Sequence, residues 1–489
     1  MPPIDPKEFV LLAPEIFLTL CGLVLLVWGS IGRGVSSRMA ATFSILVTFV
    51  TTALVVWAQS QSPGTPILAK MFILDRFAFF WKIVFLAATI LTILVSERFI
   101  EEGRYRAGEF YSLILLATTG MLFMASGFNL VSIWISLELM ALSSYILAGY
   151  FKREKRSNEA AIKYFVLGAL SSGILLYGIS LLYGTTGTLH LEQLAGGLVN
   201  ATANGNMLAT VGWILVAIGF FFKIAAVPFH VWTPDVYVGA PTPVTAYLAT
   251  ASKAASFAVL MRVFFQGFGP LVLDWQIVVA AVAGLSMIWG NIAALTQKNV
   301  KRMLAYSSIA HAGYVLLGVL AANETGLWAA MFYMFAYSFF TLGAFGTVIL
   351  LERKEYAGET YDDYAGLARR APLLAAMMLV FMLALTGIPP TGGFFGKVYL
   401  FAAAIEAGWT WVAVIGVLTS AISLYYYMGI VVQMYLKESE ETSAIPLRAP
   451  VLVAALGVCA LVTVLLGLLP GPLVDLARSS VITASWNLF

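Results

Sequence analysis

Charge is scarce in this 489-residue chain: Lys, Arg, Asp and Glu together make up 11% of it, leaving a formal net charge of +3. The basic residues fall in short clusters between apolar runs, so no continuous basic face exists to track a phosphate backbone, and nucleic acid is excluded as a partner. Cysteine is scarcer still. Cys21 and Cys459 both lie inside apolar stretches, which excludes a disulfide framework, a zinc knuckle, an iron–sulfur cluster and a C-x-x-C-H haem site. Neither a G-x-G-x-x-G nor a Walker sequence occurs. The expectation is therefore that this chain binds no metal and no cofactor, and that any redox or nucleotide chemistry driving it takes place in other polypeptides. The N-terminal "MPPIDPKEFVLLAPEIFLTL" lacks a basic n-region and a small-residue cleavage site, and reads as a retained first helix.

What the chain has in abundance is apolar sequence, at 61% of residues, so its solvent is mostly lipid. A helix needs about 20 apolar residues to cross the hydrocarbon core. Runs of that kind predict an all-α polytopic membrane protein of about fourteen spans, near 8–28, 39–58, 72–96, 109–127, 129–150, 160–183, 207–229, 238–265, 275–296, 303–321, 327–351, 373–406, 410–436 and 450–477. The positive-inside rule tests the count. With both termini outside, the inner loops carry Arg33 and Arg38; Arg98, Arg104 and Arg106; Lys152, Arg153, Lys155 and Arg156; Lys298, Lys301 and Arg302; Arg353, Lys354, Arg369 and Arg370; Lys437 and Arg448. Only Lys7, Lys70, Arg76 and Arg478 fall outside. The asymmetry holds across all the spans and predicts an even number of crossings.

Six basic residues remain, within the spans: Lys82, Lys163, Lys223, Lys253, Arg262 and Lys397. Lys163 and Arg262 lie near span ends, where a long side chain snorkels to the interface; Lys82 has no special backbone around it and is left open. Lys223, Lys253 and Lys397 each share a span with a helix-breaking sequence: "KIAAVP", "GAPTPVTAYLATASK" and "GIPPTGGFFGK". Irregular backbone at membrane depth is tolerated only where protein or a water-filled cavity satisfies it. Lysine beside a broken helix thus predicts hydrated polar pockets. Glu138 is the only charge between Asn129 and Lys152, about nine helical residues or roughly 13 Å into its span, where a carboxylate must be paired or protonated. A locked salt bridge to a neighbouring lysine is the structural alternative. Glu15, beside Pro14 and close to the first helix end, is expected at the interface. Of three histidines, His311 sits mid-span in "AYSSIAHAGY" and His230 two residues after Pro228, placements that suit a proton relay; His190, in "GTLHLEQL", is expected in a loop.

"AAIKYFVLGALSSG" from Ala160 and "AAMFYMFAYSFFTLG" from Ala329 start alike, and the broken spans holding Lys223 and Lys397 follow at a similar offset. Five helices separate such copies. An odd number turns the second over in the membrane, the inverted-repeat plan of many transporters.

The stretch "VPFHVWTPDVYVGAPTPVTAYLATASK", residues 227–253, together with "EAAIKYFVLGA", "AYSSIAHAGY" and "GIPPTGGFFGK", resembles the N-type antiporter-like membrane subunits of respiratory complex I, the proton-pumping NADH-quinone oxidoreductase. The resemblance runs from about residue 10 to 475. It implies two inverted five-helix repeats containing broken helices, at 109–270 and 271–437, between N-terminal helices 1–108 and a C-terminal loop and helix at 438–489. It also implies that Glu138 and Lys223 form a coupled pair, that Lys253 is a central connecting lysine and that Lys397 is the terminal one, with His311 and Lys163 in further polar positions. NADH, FMN, iron–sulfur clusters and quinone are implied for partner subunits. The implied partners are the L-, M- and K-type membrane subunits and their neighbours in a bacterial inner membrane. A cation/proton antiporter subunit, a photosynthetic or hydrogenase-linked relative of the complex, and a purely structural scaffold remain as alternatives. Proton transfer along buried Glu, Lys and His groups follows from electrostatics: an opposite charge about 4 Å away, at an effective dielectric near 20, is worth roughly 4 kcal/mol, about a thousandfold in proton occupancy.

Overall fold

A computed structural model describes residues 6–31, 35–61, 64–103, 105–203, 205–352, 358–439 and 449–482. Arg33, Arg104, Arg353, Lys354 and Arg448 lie outside the described residues. Among those described, 12 helices are long and apolar enough to cross a membrane, from Ala13–Ser30 to Pro450–Leu468. The expected span at 373–406 is broken in two, as Pro372–Thr386 followed by Gly392–Glu406, and that at 207–229 ends as a helix at Lys223, with a second half-helix, Trp232–Gly239, lying beyond its expected end.

Local chemistry sets where helices begin and end. Asp75, Asn129, Asn206, Asn299 and Asn323 are N-caps whose side chains accept from backbone amides of the first turn, satisfying donors that the helix leaves free. Gly187 and Gly387 end helices in the left-handed conformation that a side chain disfavours. Where helices touch, small residues allow close approach: a Cβ on Gly120 would lie 2.6 Å from the Met140 amide, and one on Gly290 2.6 Å from that of Ala310.

The loops sort to two ends. At one, Ser37 Oγ donates to the Glu97 carbonyl, the Tyr150 hydroxyl to the Arg106 carbonyl, and the Val300 amide to the Glu359 carbonyl at 2.6 Å. Glu359 also pairs there with Lys301 at 3.2 Å and Arg156 at 3.7 Å, and the Gly366 amide reaches the Gln433 carbonyl. These are the segments expected inside. At the other end, the Leu68 amide donates to Glu8, Phe128 to Met71, and Leu130 to Leu189.

Helices Thr242–Gly267, Val300–Leu320 and Glu324–Leu351 form the almost wholly buried centre, while Ala13–Ser30, Lys155–Thr186, Thr410–Leu436 and Pro450–Leu468 turn large apolar side chains outward. Buried central helices apolar on all sides are expected of a membrane bundle.

Four expectations change. The span drawn from 72 begins as a short hairpin, Pro66–Ile67 against Phe72–Ile73, and its helix starts only at Arg76, after the Asp75 cap. A helix, Leu191–Ala203, follows His190 where the polar sequence predicts only a loop. Glu15 is not interfacial: it is fully buried, with its Oε1 2.6 Å from the Lys82 ammonium. Arg262 does not snorkel, because Asp75 sits at the adjoining helix start and binds its guanidinium through two 2.8 Å hydrogen bonds, with a third to the Ala125 carbonyl.

Candidate proton-relay site

Lys223 is the last residue of its half-helix. The backbone after it is irregular, with Ala225 at a φ of 60°, and neighbouring side chains satisfy the freed groups: Trp232 Nε1 donates to the Phe222 carbonyl and the Val227 amide to Ser286 Oγ. The Lys223 ammonium is buried and donates to the Tyr145 hydroxyl at 3.3 Å. Glu138, half-buried on Leu130–Ala148, accepts from Ser172 Oγ at 2.5 Å, and Ser172 accepts in turn from Trp134 Nε1. The two charges are not brought into an ion pair: each is held by a hydroxyl of its own.

Lys253 departs from its sequence context. The chain break lies at Ala240–Pro241, well before it, and Thr242–Gly267 runs on as one helix. The irregularity at the lysine is instead a π-helical turn, Leu248–Ser252, immediately before it, of a kind frequent at functional sites. Its ammonium donates to the Ser308 carbonyl at 2.8 Å and to Ser308 Oγ at 2.5 Å.

Ser308, His311 and Tyr314 recur at three-residue steps along Val300–Leu320, so they share roughly one face. His311 is buried, with Nδ1 2.5 Å from the Tyr333 hydroxyl and Nε2 3.0 Å from that of Tyr427, which also bonds Ser307. The imidazole thus has an oxygen at each nitrogen. Tyr314 carries the line onward: its ring lies under the Lys397 ammonium, 4.7 Å from the centroid.

Lys397 lies after its break, in Gly392–Glu406, whereas Lys223 lies before its own. The sequence offset between the two therefore matched the broken spans but not the lysines' place relative to the breaks. Both side chains nevertheless sit at the C-terminal end of a first half-helix. The Lys397 ammonium donates to the Leu385 carbonyl at 3.0 Å, the Thr386 carbonyl at 2.8 Å and Ser420 Oγ at 2.8 Å. Carbonyls of a last helical turn have no partner in their own helix and carry the negative end of its dipole, so they take the place of a carboxylate.

Lys163 stands apart from this line. Half-exposed, it pairs with Asp235 at 2.6 Å and Glu159 at 2.7 Å beside a cavity of about 220 Å³ lined by Arg156, Glu159, Ala160, Asp235, Val238, Gly239 and Arg302. His230 is half-buried, near Trp289, with an unpartnered Nδ1, and touches none of the four candidate charges through the bonds described. His190 bonds Asn129 and the Lys70 carbonyl. The hydroxyls of Tyr145, Ser172, Tyr333, Ser420 and Tyr427 complete the site and went unread in the sequence; as neutral residues in apolar runs they carry no signal of burial cost.

A family profile described as "NADH:quinone oxidoreductase/Mrp antiporter, TM" matches residues 127–423. The chain is 42% identical to NADH-quinone oxidoreductase subunit N of Trichlorobacter lovleyi, covering 96% of both chains. It is 43% identical to subunit N 2 of Rhizobium meliloti, again over 96% of both. Among solved structures, it matches a chain of respiratory complex I from Thermus thermophilus with a TM-score of 0.80 and 35% identity, covering 95% of this chain and 99% of that one. A chain of the Mrp complex from Dietzia sp. shares the fold, with a TM-score of 0.83, 24% identity and 97% of both chains covered.

Proposed function

The chain belongs to the family of NADH-quinone oxidoreductase N-type membrane subunits, and on that footing we propose that it is the N-type subunit of a proton-pumping NADH-quinone oxidoreductase, moving protons through Glu138, Lys223, Lys253, His311 and Lys397. The single observation that carries the relay is the line of polar groups along one face of Val300–Leu320, where Ser308 binds Lys253, His311 stands between two tyrosine hydroxyls and Tyr314 lies under Lys397, in the centre of the bundle. A structural scaffold has no use for unpaired ammonium groups there, since a locked membrane charge is matched by a carboxylate, as Lys82 is by Glu15.

In this reading the protein crosses the bacterial inner membrane fourteen times, each broken pair counting once, with both termini on the outer side. Partner subunits hold NADH, FMN, the iron–sulfur clusters and the quinone site; this chain holds no redox centre. The L-, M- and K-type membrane subunits are its neighbours. Two inverted repeats, 109–270 and 271–437, are supported by paired features at one sequence offset. Asn129 and Asn299 are both N-caps that form isolated antiparallel bridges, to His190 and Thr360, and they lie at opposite ends of the bundle. Gly120 and Gly290 stand at the same offset, each packed against the next helix.

The mechanism follows from what each side chain touches. With Glu138 held by Ser172 and Lys223 by Tyr145, the carboxylate does not fix the ammonium's proton, and the lysine can release it. Bringing the two to about 4 Å would hold that proton by roughly 4 kcal/mol more at an effective dielectric near 20. A released proton reaches Lys253, which hands it on along Ser308. His311 accepts at one nitrogen and donates at the other, returning to its starting form by exchanging tautomers between its two tyrosine partners. Lys397, lodged among carbonyls, exchanges with the outer side. Lys163, with Asp235 and Glu159, and His230 lie toward the inlet of the first half.

The test compares Glu138→Gln with Glu138→Asp in the assembled complex in proteoliposomes, following quinone reduction and acidification together. Glu138→Gln is expected to impair pumping with assembly intact, and Glu138→Asp to do less harm. Wild-type pumping in Glu138→Gln returns the glutamate to a structural role.

A further inference from the structure

Glu352 is a half-buried carboxylate that the relay above does not use. It caps Glu324–Leu351 at the bundle end that holds Lys301 and Glu359. Its Oε2 accepts from Thr242 Oγ1 at 2.5 Å, and it forms none of the ion pairs found among the described residues. Burial raises its carboxyl above the ordinary carboxylate value, opposed by Lys301 and the Thr242 hydrogen bond and reinforced by Glu359 and Glu154.

Thr242 is the first residue of the helix that carries Lys253. The two helices meeting at Glu352 and Thr242 run in opposite directions through the centre. Lys253 lies eleven residues beyond Thr242 and Thr341 eleven before Glu352, so both stand roughly 16 Å in from the carboxylate, at one depth. Eleven residues is also about three whole turns, which returns Thr341 to the face of its helix that bears Glu352. At that depth the seam is polar. The Ser308 hydroxyl, bound to Lys253, is within reach of the phenols of Tyr237 and Tyr337, and Thr341 is within reach of Tyr337. The Tyr237 hydroxyl and Thr341 Oγ1 are both buried without a hydrogen-bonded partner. Buried hydroxyls are rarely left so, and a pair beside a third hydroxyl marks a position that a water would satisfy. One turn in from Thr242, Thr245 Oγ1 donates to the Tyr237 carbonyl, while Ala246 and Ala249 keep the stretch that follows slender.

We propose that Glu352 is a proton-loading group for Lys253, acting along the seam between Thr242–Gly267 and Glu324–Leu351 by way of Thr242, Thr245 and the hydroxyls of Tyr237 and Thr341. The inference rests on the reading of Lys253 as a proton carrier. The protonated carboxyl of Glu352 gives its proton into the seam and is left as carboxylate; the neutral amine of Lys253 takes one up and becomes ammonium. Glu352 is reprotonated from the aqueous end, and no other bond changes. Phe345, on the Glu352 face of its helix at an intermediate depth, packs 6.4 Å ring to ring from Tyr237.

The experiment measures pumping by the assembled complex in proteoliposomes for wild type, Lys253→Met, Glu352→Gln, Glu352→Asp and the double variant Lys253→Met/Glu352→Gln. The loss caused by Lys253→Met sets the scale. Glu352→Gln is expected to lose at least half as much, Glu352→Asp to keep most of the wild-type rate, and the double variant to be no worse than Lys253→Met alone. Wild-type pumping in Glu352→Gln, or losses that add in the double variant, overturns the proposal and leaves Lys253 in place. Wild-type pumping in Lys253→Met overturns the relay reading and this inference together. Should Glu352→Gln fail to assemble, Tyr237→Phe with Thr341→Val, which removes only the two unpartnered hydroxyls, carries the same expectation and is overturned by the same wild-type result.

Discussion

Removing Glu15 alone is expected to destabilise the protein far more than removing Glu15 and Lys82 together. The pair joins helices Ala13–Ser30 and Arg76–Glu102, with side chains 0% and 4% exposed and 2.6 Å between Oε1 and Nζ. At an effective dielectric near 20, that separation gives an attraction of about 6 kcal/mol, against a desolvation cost of several kcal/mol for each ion. The net contribution of the intact pair is therefore small. Neither carboxylate oxygen takes part in an aligned hydrogen bond, so nothing else recovers the desolvation. Glu15→Leu leaves the ammonium buried without its counter-charge, at a cost of about 3–5 kcal/mol. Glu15→Leu with Lys82→Met removes both charges and keeps the packing volume, and is expected within about 1 kcal/mol of wild type. The assay is thermal unfolding of the purified complex, scored by retention of this chain, for wild type, both single variants and the double. A double variant as unstable as Glu15→Leu refutes the reasoning, because the loss would then come from packing or helix entry and not from an orphaned charge.

Two further outcomes follow from the geometry. A cysteine at exposed Arg153 is expected to resist an impermeant thiol reagent in intact cells and to react in inverted vesicles, as the clustering of basic residues in one set of loops predicts; labelling in intact cells reverses the proposed topology. Gly387→Ala is expected to cost roughly 1–2 kcal/mol through its φ of +88°, and also to push Lys397 off its carbonyls, because the new Cβ would stand 2.9 Å from Lys397 Cδ. Pumping at matched assembly should fall, and an unchanged rate would show that the position of the ammonium is not critical.

The parts of this protein that the sequence exposed are those where a residue contradicts its surroundings. A lysine or glutamate in an apolar run is conspicuous because burying it is costly, and Glu138, Lys223, Lys253 and Lys397 were all legible in that way. So were the two broken spans, since Pro228, Pro389 and Pro390 interrupt runs of the right length. The partners were not legible. Nothing local says that Lys397 will find the Leu385 and Thr386 carbonyls, that Ser308 will receive Lys253, or that Tyr333 and Tyr427 will bracket His311, because tyrosine and serine sit in membrane helices at little cost whether or not they act. Glu15 and Arg262 were misjudged for a related reason. Closeness to a helix end suggests water, but Lys82 and Asp75, on a helix far along the chain, meet them inside the bundle. The π-turn before Lys253 has no proline or glycine to announce it, and the visible "GAPTP" drew attention to a break that lies a full three turns away.

The central claim is that Lys397 exchanges protons and does not merely supply a fixed charge, and substitution by arginine tests it most directly. The ammonium is held by two carbonyls and a hydroxyl, and no described carboxylate pairs with it, so a guanidinium can offer the same positive charge to the same acceptors. Arginine hardly gives up a proton at any working pH. Pumping by the assembled complex should be measured for wild type, Lys397→Arg and Lys397→Met, with assembly confirmed for each. The account predicts that Lys397→Arg assembles and pumps as poorly as Lys397→Met; if Lys397→Arg pumps at the wild-type rate, a fixed charge suffices and Lys397 is not a carrier.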